Sequence, residues 1–118
     1  MGESAIFKAR IVYLILSKRT DEALEILSDH YNVETPKLKV GMPKAHGKAT
    51  GCYVSRSKTI FLSDGELLYN PHLILHEFYH HLRTDNGKQR GNEKLADRYA
   101  EDFILAYTSA ASSAKAIS

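Results

Sequence analysis

A chain of 118 residues and 13.3 kDa is the size of one domain, with 43% hydrophobic and 25% charged residues, which excludes long disorder, collagen-like repeats and coiled coil as its main description. Its single cysteine, Cys52, excludes an intrachain disulfide and any zinc site built on several cysteines. The net charge of +2 is too small to argue for a nucleic-acid partner by itself, and six histidines is the one unusual count.

The uninterrupted apolar run near the N-terminus, Ile11 to Leu16, is short for a signal peptide and ends at Ser17-Lys18-Arg19. No stretch approaches the roughly 18 apolar residues of a membrane span. Position 6 is Ile6, where a myristoylation pattern needs Ser or Thr. The chain therefore reads as soluble and cytoplasmic, with no membrane partner.

In chain order, Ile6, Phe7, Ile11, Leu14 and Ile15 fall at helical spacing and predict a helix over Ser4 to Ser17, although residues 11–16 also fit a buried strand. Thr20 is expected to cap a second helix, with Asp21 and Glu22 in its first turn and Ala23, Leu24, Leu27 and Tyr31 on its apolar face. Leu38 to Val40 reads as a short strand. Thr50 to Val54 and Thr59 to Ser63 flank a polar turn and read as a hairpin, followed by a turn at Asp64-Gly65. Asn70-Pro71 is a strong helix start, and the helix it opens carries Leu73, Leu75, Phe78 and Leu82 before Asp85-Asn86-Gly87 stops it. A polar loop should reach Gly91. Asn92 then caps a last helix with Ala96, Tyr99, Ala100, Phe103, Ile104 and Tyr107 at helical spacing, and a Ser/Ala tail runs from Thr108 to Ser118.

The third helix carries His76-Glu77-Phe78-Tyr79-His80, an HExxH pattern. Residues four apart share one helix face, so the imidazoles of His76 and His80 can reach one metal ion at about 2.0–2.1 Å. Glu77 projects about 100° around the axis from His76, which sets its carboxylate beside an open coordination position, where it can take a proton from water. From the chain's six histidines and eight glutamates, about 0.02 such matches are expected by chance, so the pattern is informative. A catalytic zinc needs a third protein ligand. Glu93 opens the last helix, and Asp97 lies four residues on along the same face; with Glu101 they equally describe a solvated stripe, and Asp85 is another candidate ligand. His72 and His81 flank the motif at helical spacing and are candidates for contacting substrate or the transition state. His30 and His46 read as surface residues, and Cys52 as a small buried hydrophobe.

His76-Glu77-Phe78-Tyr79-His80, the ExxxD run Glu93-Lys94-Leu95-Ala96-Asp97 and the upstream hairpin together resemble the minigluzincins, small single-domain zinc metallopeptidases of the gluzincin clan. The resemblance covers about residues 36 to 107. It implies a small mixed sheet with an edge hairpin, packed on an active-site helix and a backing C-terminal helix; with the N-terminal helices read from spacing, the expected fold is α+β. It further implies one zinc ion on His76, His80 and Glu93, with Asp97 accepting a ring N–H from a ligand histidine and Glu77 as general base. Gly51, Cys52, Tyr53 and Val54 would form the edge strand that receives a peptide or protein substrate. The resemblance also allows residues 108–118 to cover the cleft, as an alternative to fraying, and so allows a latent form. A non-catalytic zinc-binding regulatory module is the alternative from another class. Lys37, Lys39, Lys44, Lys48, Arg56 and Lys58 lie in a stretch without acids, which describes a solvated face or one that attracts an acidic peptide or nucleic acid; a zinc protease acting on nucleic-acid-bound proteins is therefore a further alternative.

Overall fold

The computed structural model describes residues 3–44, 47–85, 88–89 and 91–117, with the backbone alone at 85, 88, 89 and 114–117. His46, Asn86 and Gly87 lie outside the described residues, and so does the side chain of Asp85. The order is α1 (Ala5–Leu16), α2 (Thr20–Tyr31), β1 (Lys37–Val40), β2 (Gly51–Val54), β3 (Thr59–Leu62), a 3-10 segment (Gly65–Tyr69), α3 (Pro71–Leu82), β4 (Thr84–Asp85), β5 (Lys88–Gln89) and α4 (Glu93–Ile117). This is an α+β fold with a small mixed sheet. None of its described helices is long and apolar enough to cross a membrane.

Segment 11–16 is helix, and its burial shows why the strand alternative loses. Ile11, Val12, Leu14 and Ile15 are buried while Tyr13 and Leu16 are exposed, a three-and-four repeat and not an alternation. Ser4 caps α1 by accepting from the Phe7 N–H at 3.0 Å. Thr20 does not cap α2 as expected. Arg19 occupies the cap position, and the buried Thr20 hydroxyl donates instead to the Leu68 carbonyl at 2.6 Å, tying α2 to the 3-10 segment. At its other end α2 closes on Asn32 in the left-handed region (φ 57°), with the Val33 N–H on the Ser28 carbonyl at 2.9 Å.

The sheet has the order β1-β3-β2. β2 and β3 form the expected hairpin, Gly51 opposite Leu62 and Val54 opposite Thr59, whereas β1 runs parallel to β3. Ile60 and Leu62 enter the core from β3, and β2 is left as an outer strand. α1 packs on α2 and α4, and α3 lies between α4 and the sheet, so the active-site candidate helix is held on two sides. Ile74, Leu75 and Phe78 are its buried stripe, against Phe103 and Ala100 of α4.

Two expectations about the last third of the chain change. The segment before Gly91 is not wholly loop, because β4 and β5 pair antiparallel, Thr84 with Gln89 and Asp85 with Lys88. The Ser/Ala segment continues α4 to Ile117, so within the described residues it neither leaves the helix nor folds back over a cleft. At 1.5 Å per residue, Thr108 stands about 22 Å along the axis from Glu93. Alanine's helix propensity favours this continuation, and the Thr108 hydroxyl returns to the Ile104 carbonyl at 2.9 Å.

Asn70 and Pro71 start α3 as expected, with the Asn70 Oδ1 accepting from the Leu73 N–H at 3.0 Å. Asn70→Ala is expected to cost about 1 kcal/mol of folding stability, measured by urea denaturation at unchanged m-value.

Candidate metal centre

The site arises from two capped helices that run past one another. On α3 the apolar stripe turns inward, which leaves His72, His76 and His80, each four residues apart, on the face toward α4. On α4, Asn92 accepts from the Leu95 N–H at 2.8 Å, and Glu93, Asp97 and Glu101 follow at the same spacing. The two ladders mesh in antiparallel order. His80 Nε2 is 2.9 Å from Glu93 Oε1, and His76 Nε2 is 2.6 Å from Glu93 Oε2. His76 Nδ1 is 2.8 Å from Asp97 Oδ1, and His72 Nε2 is 3.8 Å from Asp97 and 3.9 Å from Glu101.

His76, His80 and Glu93 each offer one ligand atom within 4.8 Å of the others. Four donors at about 2.0–2.1 Å in a tetrahedron stand about 3.3 Å apart, so the two histidine–Glu93 contacts, at 2.6 and 2.9 Å, would have to open by about half an ångström to admit an ion. The donor set, two imidazole nitrogens and a carboxylate, suits zinc. Glu93 can make that adjustment because its side chain is 76% exposed. Each carboxylate accepts only, so His76 meets Glu93 and Asp97 through two N–H groups. Ligation would displace the proton facing Glu93 and leave Nδ1–H on Asp97, which fixes the tautomer and ring orientation.

Electrostatics divide these groups. Burial works to lower the His76 pKa, but the Glu93 and Asp97 carboxylates outweigh it and hold the ring above its ordinary value. Burial lowers the His80 pKa and keeps that imidazole neutral, the form that binds a metal. Glu77 is only 5% exposed, and burial pushes its carboxyl up to about 7, against the opposing pull of His76. A dication next to it would draw that value back down. Glu77 shares a cavity of about 300 Å³ with Ala49, Gly51, Cys52, Tyr53, His80 and Glu93. That cavity sets the Glu77 carboxyl between the ligand cluster and strand β2.

The remaining candidates fall elsewhere. His72 lies one turn before the cluster and does not line the cavity. His81 is buried, and both of its ring nitrogens are engaged: Nε2–H donates to the Glu34 carbonyl at 2.6 Å, and Nδ1 accepts from the Tyr53 hydroxyl at 2.7 Å. It ties α3 to β2 and to the strand-β1 approach. Sequence reasoning missed this clamp, since its partners lie 28 and 47 residues away and leave no local pattern. Cys52 is buried as expected, but it also lines the cavity, where burial and the Glu77 charge push its thiol up and keep it protonated. His30 is exposed and packs against Phe7 with ring centroids 4.5 Å apart and the planes tilted by 31°, away from the cluster.

Gly91 sets the approach to Glu93. A Cβ there would run into the Tyr79 ring, which packs 5.5 Å from Tyr99 and 6.1 Å from His80. Gly91→Ala is therefore expected to displace Tyr79 and cost about 1–3 kcal/mol, read as a lower midpoint in thermal unfolding.

No protein-family model, curated protein or solved structure matches the chain.

Proposed function

We propose that the chain is a zinc-dependent endopeptidase. The observation that carries this reading is the convergence of His76, His80 and Glu93 from two helices beside a cavity into which the buried Glu77 carboxyl opens. A structural zinc site would need a fourth protein ligand, and His76, His80 and Glu93 are the one candidate metal-holding group among the described residues.

Bound by His76, His80 and Glu93, zinc would supply a Lewis acid that polarises the scissile carbonyl and makes the attacking water acidic near pH 7. The chain's own groups do the rest. Glu77 takes a proton from that water and delivers it to the leaving amine, a role open to a carboxyl that is buried in the cavity wall beside the ligand cluster. Asp97 holds His76 in one orientation through Nδ1–H. β2 holds the substrate. The Ser63 N–H on the Thr50 carbonyl (2.9 Å) fixes which residues of β2 face β3, so the main-chain groups of Gly51 and Tyr53 point outward from the sheet. An extended peptide can pair there as an added strand, above Glu77. The hydrogen bond from Tyr53 to His81 keeps the strand at a fixed height over α3.

The reading is tested with full-length protein on an unstructured casein-type substrate. Cleavage that a chelator removes and one equivalent of zinc restores is expected; intact substrate with one zinc bound would favour the regulatory module.

A further inference from the structure

The sheet that forms the upper wall of the cavity carries charge of one sign. From Thr35 to Ser63 there is no Asp or Glu, while Lys37, Lys39, Lys44, Lys48, Arg56 and Lys58 are present and exposed. Among the described ion pairs only that of Lys58 with Glu34, at 3.0 Å, involves one of them. Their placement is not uniform around β2. Lys48 precedes the strand, next to the cavity residue Ala49, and Arg56 follows it in the hairpin turn, so cations stand at both ends of the outer strand. The lower wall does not offset this. Glu77 and Glu93 are its acids, and a dication held there would balance their two charges.

We propose that the substrate is an acidic polypeptide segment, bound as a strand along β2 with acidic residues on both flanks of the scissile bond; this rests on the peptidase reading above. β2 spans four residues, about 13 Å at 3.4 Å per residue. A paired peptide therefore brings side chains three to four positions either side of its centre close to Lys48 and Arg56. Main-chain pairing at Gly51 and Tyr53 supplies contact without sequence preference, and the flanking cations supply the selection. A peptide suits this surface better than a nucleic acid. Single-strand binding relies on exposed aromatic faces, and the two Phe or Tyr residues of the basic stretch are committed: the Tyr53 hydroxyl is held by His81, and Phe61 is half-buried in the centre strand.

The test uses zinc-loaded full-length Glu77→Gln protein, so that binding is read without turnover, and fluorescent twelve-residue peptides with one apolar centre. Their flanks are Asp/Glu, Asn/Gln or Lys, and a fluorescent single-stranded DNA is the fourth probe. The expected result is about tenfold tighter binding of the acidic peptide than of the neutral one at low salt. That preference should shrink in high salt and in the double charge reversal Lys48→Glu/Arg56→Glu, whose folding is checked by circular dichroism. Wild-type protein should cleave the three peptides in the same order. Equal binding of acidic and neutral peptides would overturn the proposal while leaving peptidase activity standing, and so would tighter binding of the DNA. Preferred binding of the acidic peptide with no cleavage by wild type would uphold the binding preference and overturn the peptidase reading.

Discussion

Glu77→Gln is expected to lower the rate of peptide hydrolysis by about 10²–10⁴-fold, the range that a positioned general base contributes, with zinc content and folding unchanged. The reason is local. The carboxyl is buried in the cavity wall next to His80, and no other described carboxyl lies beside the cluster without a hydrogen bond or ligand role in it. The amide has nearly the same shape but cannot take a proton from water. The check is steady-state cleavage with metal analysis and circular dichroism on the same preparation. A variant that retained wild-type rates would remove Glu77 from the chemistry and leave the cavity without its base.

Glu93→Ala gives the second large effect. Glu93 sits in the first turn of α4 with three quarters of its side chain in solvent, so as part of a solvated stripe it would matter little. Its loss there removes a helix-dipole contribution of about 0.3–1 kcal/mol. As the third ligand it has a different consequence. Zinc affinity should fall by more than the about 10–100-fold that follows from losing a ligand's hydrogen-bond partner, and hydrolysis should fall with it. Glu101→Ala is the control: Glu101 occupies the same face two turns on, exposed and outside the cluster, and its removal should leave zinc affinity where it was. Isothermal titration with zinc against a competing chelator reads both variants. Equal affinities for Glu93→Ala and wild type would mean that the glutamate is not a ligand.

The parts of the molecule legible in sequence were those coded over a few residues. Asn70-Pro71 marks its helix because a side-chain cap and a fixed φ act within one turn, and the spacing from His76 to His80 follows from helix geometry alone. The hairpin was visible because two β-rich runs bracket one polar turn. Long-range contacts were not legible. Nothing local marks Thr20 for the Leu68 carbonyl or His81 for Tyr53 and Glu34, and the parallel partner of β1 lies over twenty residues away. The Ser/Ala segment misled for a different reason: its composition suits a loose tail, yet alanine also propagates a helix that is already nucleated. The ExxxD spacing placed Glu93 and Asp97 on one face but could not say what that face meets. The meshing of the two helices brings Asp97 to His76 at 2.8 Å, and three residues away it leaves Lys94 in solvent.

Zinc K-edge X-ray absorption of the zinc-loaded full-length chain, with metal content measured on the same sample, addresses the site itself. One zinc per chain is expected, with only nitrogen and oxygen neighbours at about 2.0–2.1 Å and the outer-shell scattering of two imidazole rings. A sulfur neighbour at about 2.3 Å, a spectrum without imidazole scattering, or a protein that retains no zinc after dialysis would contradict a centre built on His76, His80 and Glu93.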